Sequence, residues 1–249
     1  MALLEHFDPI SLAALNAKAA LLERRDTKYV LNEEQLDALL RHTVAYFDVL
    51  TIANRHRFLY RSIYFDTSNY QTFKDHNQGK RNRIKVRRRV YLNSGLSYFE
   101  VKIKGLRDKT HKYRLPIASG SVNTPMLTAE EEAFLEEHYQ KHYQRPWGLS
   151  LRHSITVDYE RMTLVAKRGD ERLTIDGDVT FFDEHTRRLL SAERWVLEVK
   201  SSSGRSPINK WLLTQGIRPV KRCSKYSMGM SLLKYPHNNR FRPVLKYQF

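Results

Sequence analysis

Two short runs far apart in the chain carry the same arrangement of charge: "FEVK" at 99–102 and "LEVK" at 197–200. Side chains alternate between faces in an extended chain, so Glu100 and Lys102 share one face, as do Glu198 and Lys200. Phe99, Val101, Leu197 and Val199 turn the other way. "RNRIKVRRRVY" (81–91) follows the rule more strongly: Arg83, Lys85, Arg87 and Arg89 share one parity, Ile84, Val86 and Val90 the other, and Arg88 is the exception. Lys104 extends the face of Lys102. Arg161, Thr163 and Lys167 share a parity in "VDYERMTLVAK", and Arg172, Thr174 and Asp176 do so in "RLTID". Any one such strand fits a solvated outer face. Several together put like charges side by side, which is unfavourable unless a polyanion meets them. A flat basic sheet suits nucleic acid. A closed barrel with the charges inward makes a cationic tunnel suited to a thin, densely charged chain such as a polyphosphate.

The whole chain agrees with a polyanionic partner. Its 249 residues hold 43 Lys+Arg against 27 Asp+Glu, a formal charge of +16. Between Lys80 and Arg114 the acids are Glu100 and Asp108 alone. There is no Walker loop, no Gly-x-Gly-x-x-Gly, no His-Glu-x-x-His and no Gly-x-Ser-x-Gly, so nucleophilic hydrolase chemistry is disfavoured. The missing aromatic RNA-binding signature counts against nucleic acid as the partner. What remains is phosphate chemistry by clamping, in which positioning, cations and a divalent metal supply most of the catalysis. Cys223 is the one cysteine; no intrachain disulfide can form, and a cytoplasmic location is expected. No apolar run reaches the roughly 18 residues of a membrane helix, and the N-terminus does not read as a signal peptide.

The elements that must position these residues are legible in outline. A helix is expected over 9–22 (Leu12, Leu15, Ala19 and Leu22), then a strand at 27–31 and a helix capped by Asn32. A strand at 57–67 precedes a short helix ended by Gly79. Further strands are expected at 81–91, 97–104, 111–115, 154–160, 162–167, 171–176, 178–183 and 194–200. Helices are expected over 128–140, 206–216 (Ser206 as cap, Pro207 first) and 224–235, before a basic tail at 236–249. This is one α+β domain over 1–249: an antiparallel β-barrel with flanking helices.

The runs "ERRDTKYVL", "KVRRRVY", "FEVK", "DYERM", "RLTIDGDV", "LEVK" and "RCSKYSMG", in this order over residues 23–229, resemble the catalytic domain of the vacuolar transporter chaperone (VTC) family. That family lies within the triphosphate tunnel metalloenzyme, or CYTH-like, superfamily. The resemblance implies a barrel whose interior binds triphosphate and polyphosphate. It implies transfer of the ATP γ-phosphate to a growing polyphosphate chain with Mn²⁺ or Mg²⁺. Carried over by position, Lys28, Arg87, Arg89, Lys102, Arg161 and Lys225 would contact the reacting phosphates, Arg222 and Ser224 the chain near one tunnel end, and Glu198 would be the metal ligand. Lys85, Lys104 and Lys200 share faces with these residues and join the substrate-binding set. The Glu-x-Glu-x-Lys run of hydrolytic superfamily members is absent, Glu23 standing alone in "LERRDTKY", which favours transfer over hydrolysis. A triphosphatase or polyphosphatase in the same tunnel, or a non-enzymatic binder of polyphosphate or nucleic acid, is the alternative. A membrane-protein partner is left open. Glu100 is expected to balance neighbouring cations, Ser224 also to cap the last helix, and Cys223 to be inert.

Overall fold

Period-two alternation dominates the chain and builds a sheet. The computed structural model describes residues 2–18, 25–105, 110–190, 193–202, 206–220 and 223–235. In chain order the elements are β1 (Asp8–Ile10), α1 (Leu12–Lys18), β2 (Arg25–Leu31), α2 (Glu33–Thr43), β3 (Phe47–Leu50), β4 (Phe58–Asp66), α3 (Gln71–Gln78), β5 (Arg83–Tyr91), β6 (Ser97–Lys104), β7 (Thr110–Pro116), α4 (Ala129–Tyr143), β8 (Arg152–Ala166), β9 (Arg172–Phe182), β10 (Arg187–Leu189), β11 (Trp195–Ser201), α5 (Pro207–Thr214) and α6 (Lys225–Leu233). The main sheet runs β2-β11-β9-β8-β4-β5-β6-β7, each neighbour antiparallel. It curls into a half-barrel, α+β in class, and among the described residues its end strands β2 and β7 do not pair with each other. β3 adds to β8, β10 to β9, and β1 lies parallel to β3. No helix among the described residues is long and apolar enough to cross a membrane.

Several expected boundaries shift for local reasons. The helix expected over 9–22 begins at Leu12, because Asp8–Ile10 pairs with β3 and the Ser11 hydroxyl accepts the Ala14 N–H. Residues 19–24 lie outside the described set. The strands expected at 154–160 and 162–167 are one strand, with a register shift between Asp158 and Glu160 in place of a break. Those expected at 171–176 and 178–183 also join across Gly177, where a Cβ would run into the Trp195 ring, and Asp178, which takes a left-handed φ of 49°. β1, β3 and β10 are too short for a periodic signal.

The outer face of the half-barrel is apolar and covered by helices. α2 and α5 shield Tyr29, Leu31, Leu164, Ile175, Leu197 and Val199; α4 shields Phe65, Val86, Phe99 and Val101. Asn32 and Thr128 start α2 and α4 with reciprocal capping boxes. Arg88, which broke the parity rule, lies within this outer layer and is fully buried. Its guanidinium donates to both Glu131 oxygens (2.7 and 2.6 Å) and to the carbonyls of Val122, Thr124 and Met126 (3.1, 2.7 and 2.8 Å). An arginine can be buried where its donors all meet acceptors. Arg88 therefore ties α4 and the loop before it to the sheet, and takes no part in the inner face.

Candidate active site

The inner face collects the opposite parity of each strand, and there the cations gather around Glu100, Asp176 and Glu198, with Asp26 of β2 opposite Lys200 and close enough to favour the charges on Lys28 and Lys102. Glu100 on β6 accepts from Arg87 Nε at 2.8 Å and from Lys112 of β7, with Arg89 Nε at 4.0 Å. Asp176 on β9 accepts from Arg161 in bidentate fashion (2.6 and 2.8 Å) and from Lys225 of α6. Glu198 on β11 lies 3.0 Å from Lys28 of β2 and 2.8 Å from Lys200. Burial disfavours ionisation of Glu198, yet Lys200 and Lys28 outweigh it and hold the carboxyl well below its ordinary range. Burial opposes the charge on Lys28 as well, and Glu198 overcomes it and raises that ammonium.

Lys85 and Lys102 differ from these. They face each other across β5 and β6, and among the described residues neither has a carboxylate within ion-pair distance. Lys85 donates to the Ser224 hydroxyl at 3.1 Å. Desolvation, then Lys102 and Lys28, push Lys85 well below its ordinary range, and desolvation also lowers Lys102. Burial lowers Lys200 to about 8. His76 of α3 reports the same field: Lys85 first, then burial, Arg83, Lys102 and Lys28, hold its imidazole down to about 2.

Tyrosines floor this face beneath the cations. Arg89 lies over Tyr60 (5.6 Å), Arg161 over Tyr60 and Tyr159 (5.2 Å each), Arg87 over Tyr64 (5.9 Å), Lys85 over Tyr226 (5.6 Å) and Lys225 over Tyr159 (4.5 Å). Arg87 also donates to the Tyr64 hydroxyl at 3.2 Å. Sequence reasoning passed over these rings, although Tyr60 and Tyr64 share a parity in "FLYRSIYFD", and Tyr159 shares one with Arg161. It also passed over His76 and over Lys112, whose parity in "THKYRLP" places it inward.

α6 closes one end of the face. It packs over Ile155, Val157, Val179, Phe181 and Val196. Gly229 permits the approach, since a Cβ there would lie 2.6 Å from Ile155 Cδ1 and 2.7 Å from Phe181 Cδ1. Ser224 caps the helix through the Ser227 N–H, so its hydroxyl serves both the cap and Lys85. Asp66 fixes the same corner: it accepts from the backbone N–H of Thr72 and Phe73 in α3 and from the Tyr226 hydroxyl in α6.

The fold thus brings Lys28, Lys85, Arg87, Arg89, Lys102, Arg161, Glu198, Lys200, Ser224 and Lys225 to one curved face. Lys104 sits at the end of β6, opposite Arg83 and Thr110 and only partly buried. Arg222 lies outside the described residues. No group of three or more His, Cys, Asp or Glu among the described residues could hold a metal ion by itself. A single carboxylate such as Glu198 is the kind of ligand that a hard divalent ion takes together with water and the phosphate oxygens of a substrate.

Comparison with known proteins agrees with this architecture. The sequence model of one family, the VTC domain, matches residues 23–234. No curated protein matches the chain. A putative adenylate cyclase from Bacillus halodurans has a similar structure: TM-score 0.55, 15% identity, 83% of this chain and 96% of that one. A Hippeastrum protein described as a putative adenylyl cyclase with a dominant triphosphatase activity aligns at TM-score 0.48 and 14% identity, over 87% of this chain and 100% of that one. A putative adenylate cyclase from Vibrio parahaemolyticus aligns at 0.46 and 12%, over 83% and 97%.

Proposed function

This chain belongs to the VTC domain family, and on that premise we propose that it is a metal-dependent polyphosphate polymerase, moving the γ-phosphoryl group of ATP onto a growing polyphosphate chain. The observation that carries this reading is the surplus of cations on the curved face. Glu100, Asp176 and Glu198 answer their own neighbours, and among the described residues no carboxylate lies within ion-pair distance of Lys85 or Lys102. A curved cationic face of this kind suits a thin phosphate chain better than a duplex.

A terminal oxygen of the acceptor chain attacks the γ-phosphorus, forming a new P–O–P link. The bond to the β,γ-bridging oxygen breaks, and ADP leaves with the electron pair. The acceptor oxygen is already anionic, so no residue has to remove a proton. Arg87, Arg89 and Arg161 grip phosphate oxygens through planar guanidinium forks, and Lys28, Lys102 and Lys225 act as point charges around the transferred group. Lys85, Lys104, Lys200, Arg222 and Ser224 hold the chain on either side. Glu198 would hold the Mn²⁺ or Mg²⁺ ion, which neutralises charge on the phosphates when bound. The tyrosine floor keeps the guanidinium groups oriented and the bed partly dry, which strengthens each contact.

The test is product identity. Purified protein with ATP and Mn²⁺ is expected to yield phosphate polymer, read on a gel or by phosphorus NMR. Orthophosphate as the only product would reassign the chain to triphosphate or polyphosphate hydrolysis. Binding without turnover would leave a non-enzymatic polyanion binder.

A further inference from the structure

Glu198 is the carboxylate that would receive a divalent ion, and both of its oxygens are engaged. Lys28 Nζ lies 3.0 Å from Oε1, and Lys200 Nζ lies 2.8 Å from Oε2. The two lysines arrive from different strands: Lys28 stands opposite Glu198 in the β2–β11 register, and Lys200 follows two residues along β11. Lys200 is held further by the Thr174 hydroxyl at 3.3 Å and its side chain is 8% exposed, whereas that of Lys28 is 31% exposed. A divalent ion at Glu198 would meet two ammonium groups already in contact with the same carboxylate. No group of three or more His, Cys, Asp or Glu among the described residues could hold the ion by itself. Like charges packed this closely in a partly enclosed site exclude one another. The lysines release Glu198 when other anionic oxygens take them up, and a phosphate chain lying along this face provides more such oxygens than Asp26, which stands opposite Lys200 on β2, can offer.

We propose that Lys28 and Lys200 form an exchangeable counterion pair for Glu198, so that a divalent ion binds there only together with a phosphate chain that draws the two ammonium groups away. The inference rests on reading this face as a phosphate-binding trough. Metal and phosphate chain are then positively coupled, each tightening the other by the same factor. The lysines also screen the site: free divalent ions are turned away, and phosphate chains that carry an ion are favoured over bare ones.

Binding measurements test this without reference to turnover. Mn²⁺ binding, followed by the loss of its free EPR signal, is compared in wild type, Lys28→Met, Lys200→Met and the double variant Lys28→Met/Glu198→Gln. Inorganic tripolyphosphate is titrated calorimetrically with a chelator present, and again as its Mn²⁺ complex. Lys28→Met is expected to bind Mn²⁺ alone about tenfold more tightly than wild type. That gain should vanish in the double variant. Lys200→Met should move the same way, and either variant suffices if the other fails to fold. Wild type should bind the Mn²⁺ complex more tightly than bare tripolyphosphate, and Glu198→Gln should erase the difference. Mn²⁺ binding wild type as tightly as Lys28→Met would overturn the proposal while leaving the trough reading intact. Failure of wild type to bind tripolyphosphate in chelator would bring down the trough reading, and this inference with it.

Discussion

Lys85 and Lys102 stand directly opposite each other on β5 and β6 with no described carboxylate in ion-pair reach of either, so two ammonium groups face one space. This arrangement is unfavourable for the free protein and favourable once an anion arrives. Lys85→Met is therefore expected to weaken tripolyphosphate binding roughly 10- to 100-fold, the worth of one charge-assisted hydrogen bond. The same substitution should leave the ligand-free melting temperature unchanged or raise it. A lowered melting temperature together with unchanged affinity would mean that Lys85 is a structural residue.

Stability should depend on pH in a direction these lysines set. Burial lowers Lys112 and Lys200 to about 8 from an ordinary 10.5, and Lys85 and Lys102 are lowered too. A lysine whose folded pKa is depressed loses its proton in the folded state first, so above that pKa the unfolded chain binds more protons and stability rises with pH. Lys28 acts oppositely, but its raised pKa places its loss above this window. The ligand-free protein is thus expected to gain stability between about pH 8 and 10.5, and saturating tripolyphosphate should flatten or invert the trend. Thermal unfolding across that range, with and without ligand, checks it.

Arg88 and Glu131 should matter to folding and not to anion binding. Glu131→Gln leaves a buried guanidinium without its charge partner, at an expected cost of about 3–5 kcal/mol in urea unfolding. Tripolyphosphate affinity of the folded variant should stay within about twofold of wild type, since the pair lies on the outer face. Arg88→Lys should rescue poorly, because an ammonium cannot serve Glu131 and three carbonyls at once.

Gly229→Ala tests the seat of α6. The added methyl meets Ile155 and Phe181 and should cost about 1–3 kcal/mol. By displacing Ser224 and Lys225 from Lys85 and Asp176, it should also lower turnover by more than the loss of folded protein explains. Turnover that merely tracks the folded fraction would show that α6 does not position the site.

The inner strands were legible because alternation is a local property. "RNRIKVRRRVY", "FEVK" and "LEVK" each fix which side chains share a face, and the apolar parity fixes which face must be covered. The capped helices after Asn32 and Ser206 were legible for the same reason: a cap and its first turn lie within a few residues. Joined strands across Gly177 and near Tyr159 were not, because a bulge looks like a break until the partner strand is present.

By itself, the sequence determined an α+β chain whose strands carry cations on one parity, and the runs that mark its family. Tertiary structure alone decided which charges meet a carboxylate among the described residues. Arg88 looks like its neighbours in "KVRRRVY", yet Glu131, 43 positions away, removes it from the inner face. Glu100 and Glu198 look alike in their tetrads, yet one is held by Arg87 and Lys112 and the other lies between Lys28 and Lys200. Each pairing depends on strand order and register, which a local pattern cannot encode. Counterion choice is a property of distances across the sheet and of how much water the helices shut out.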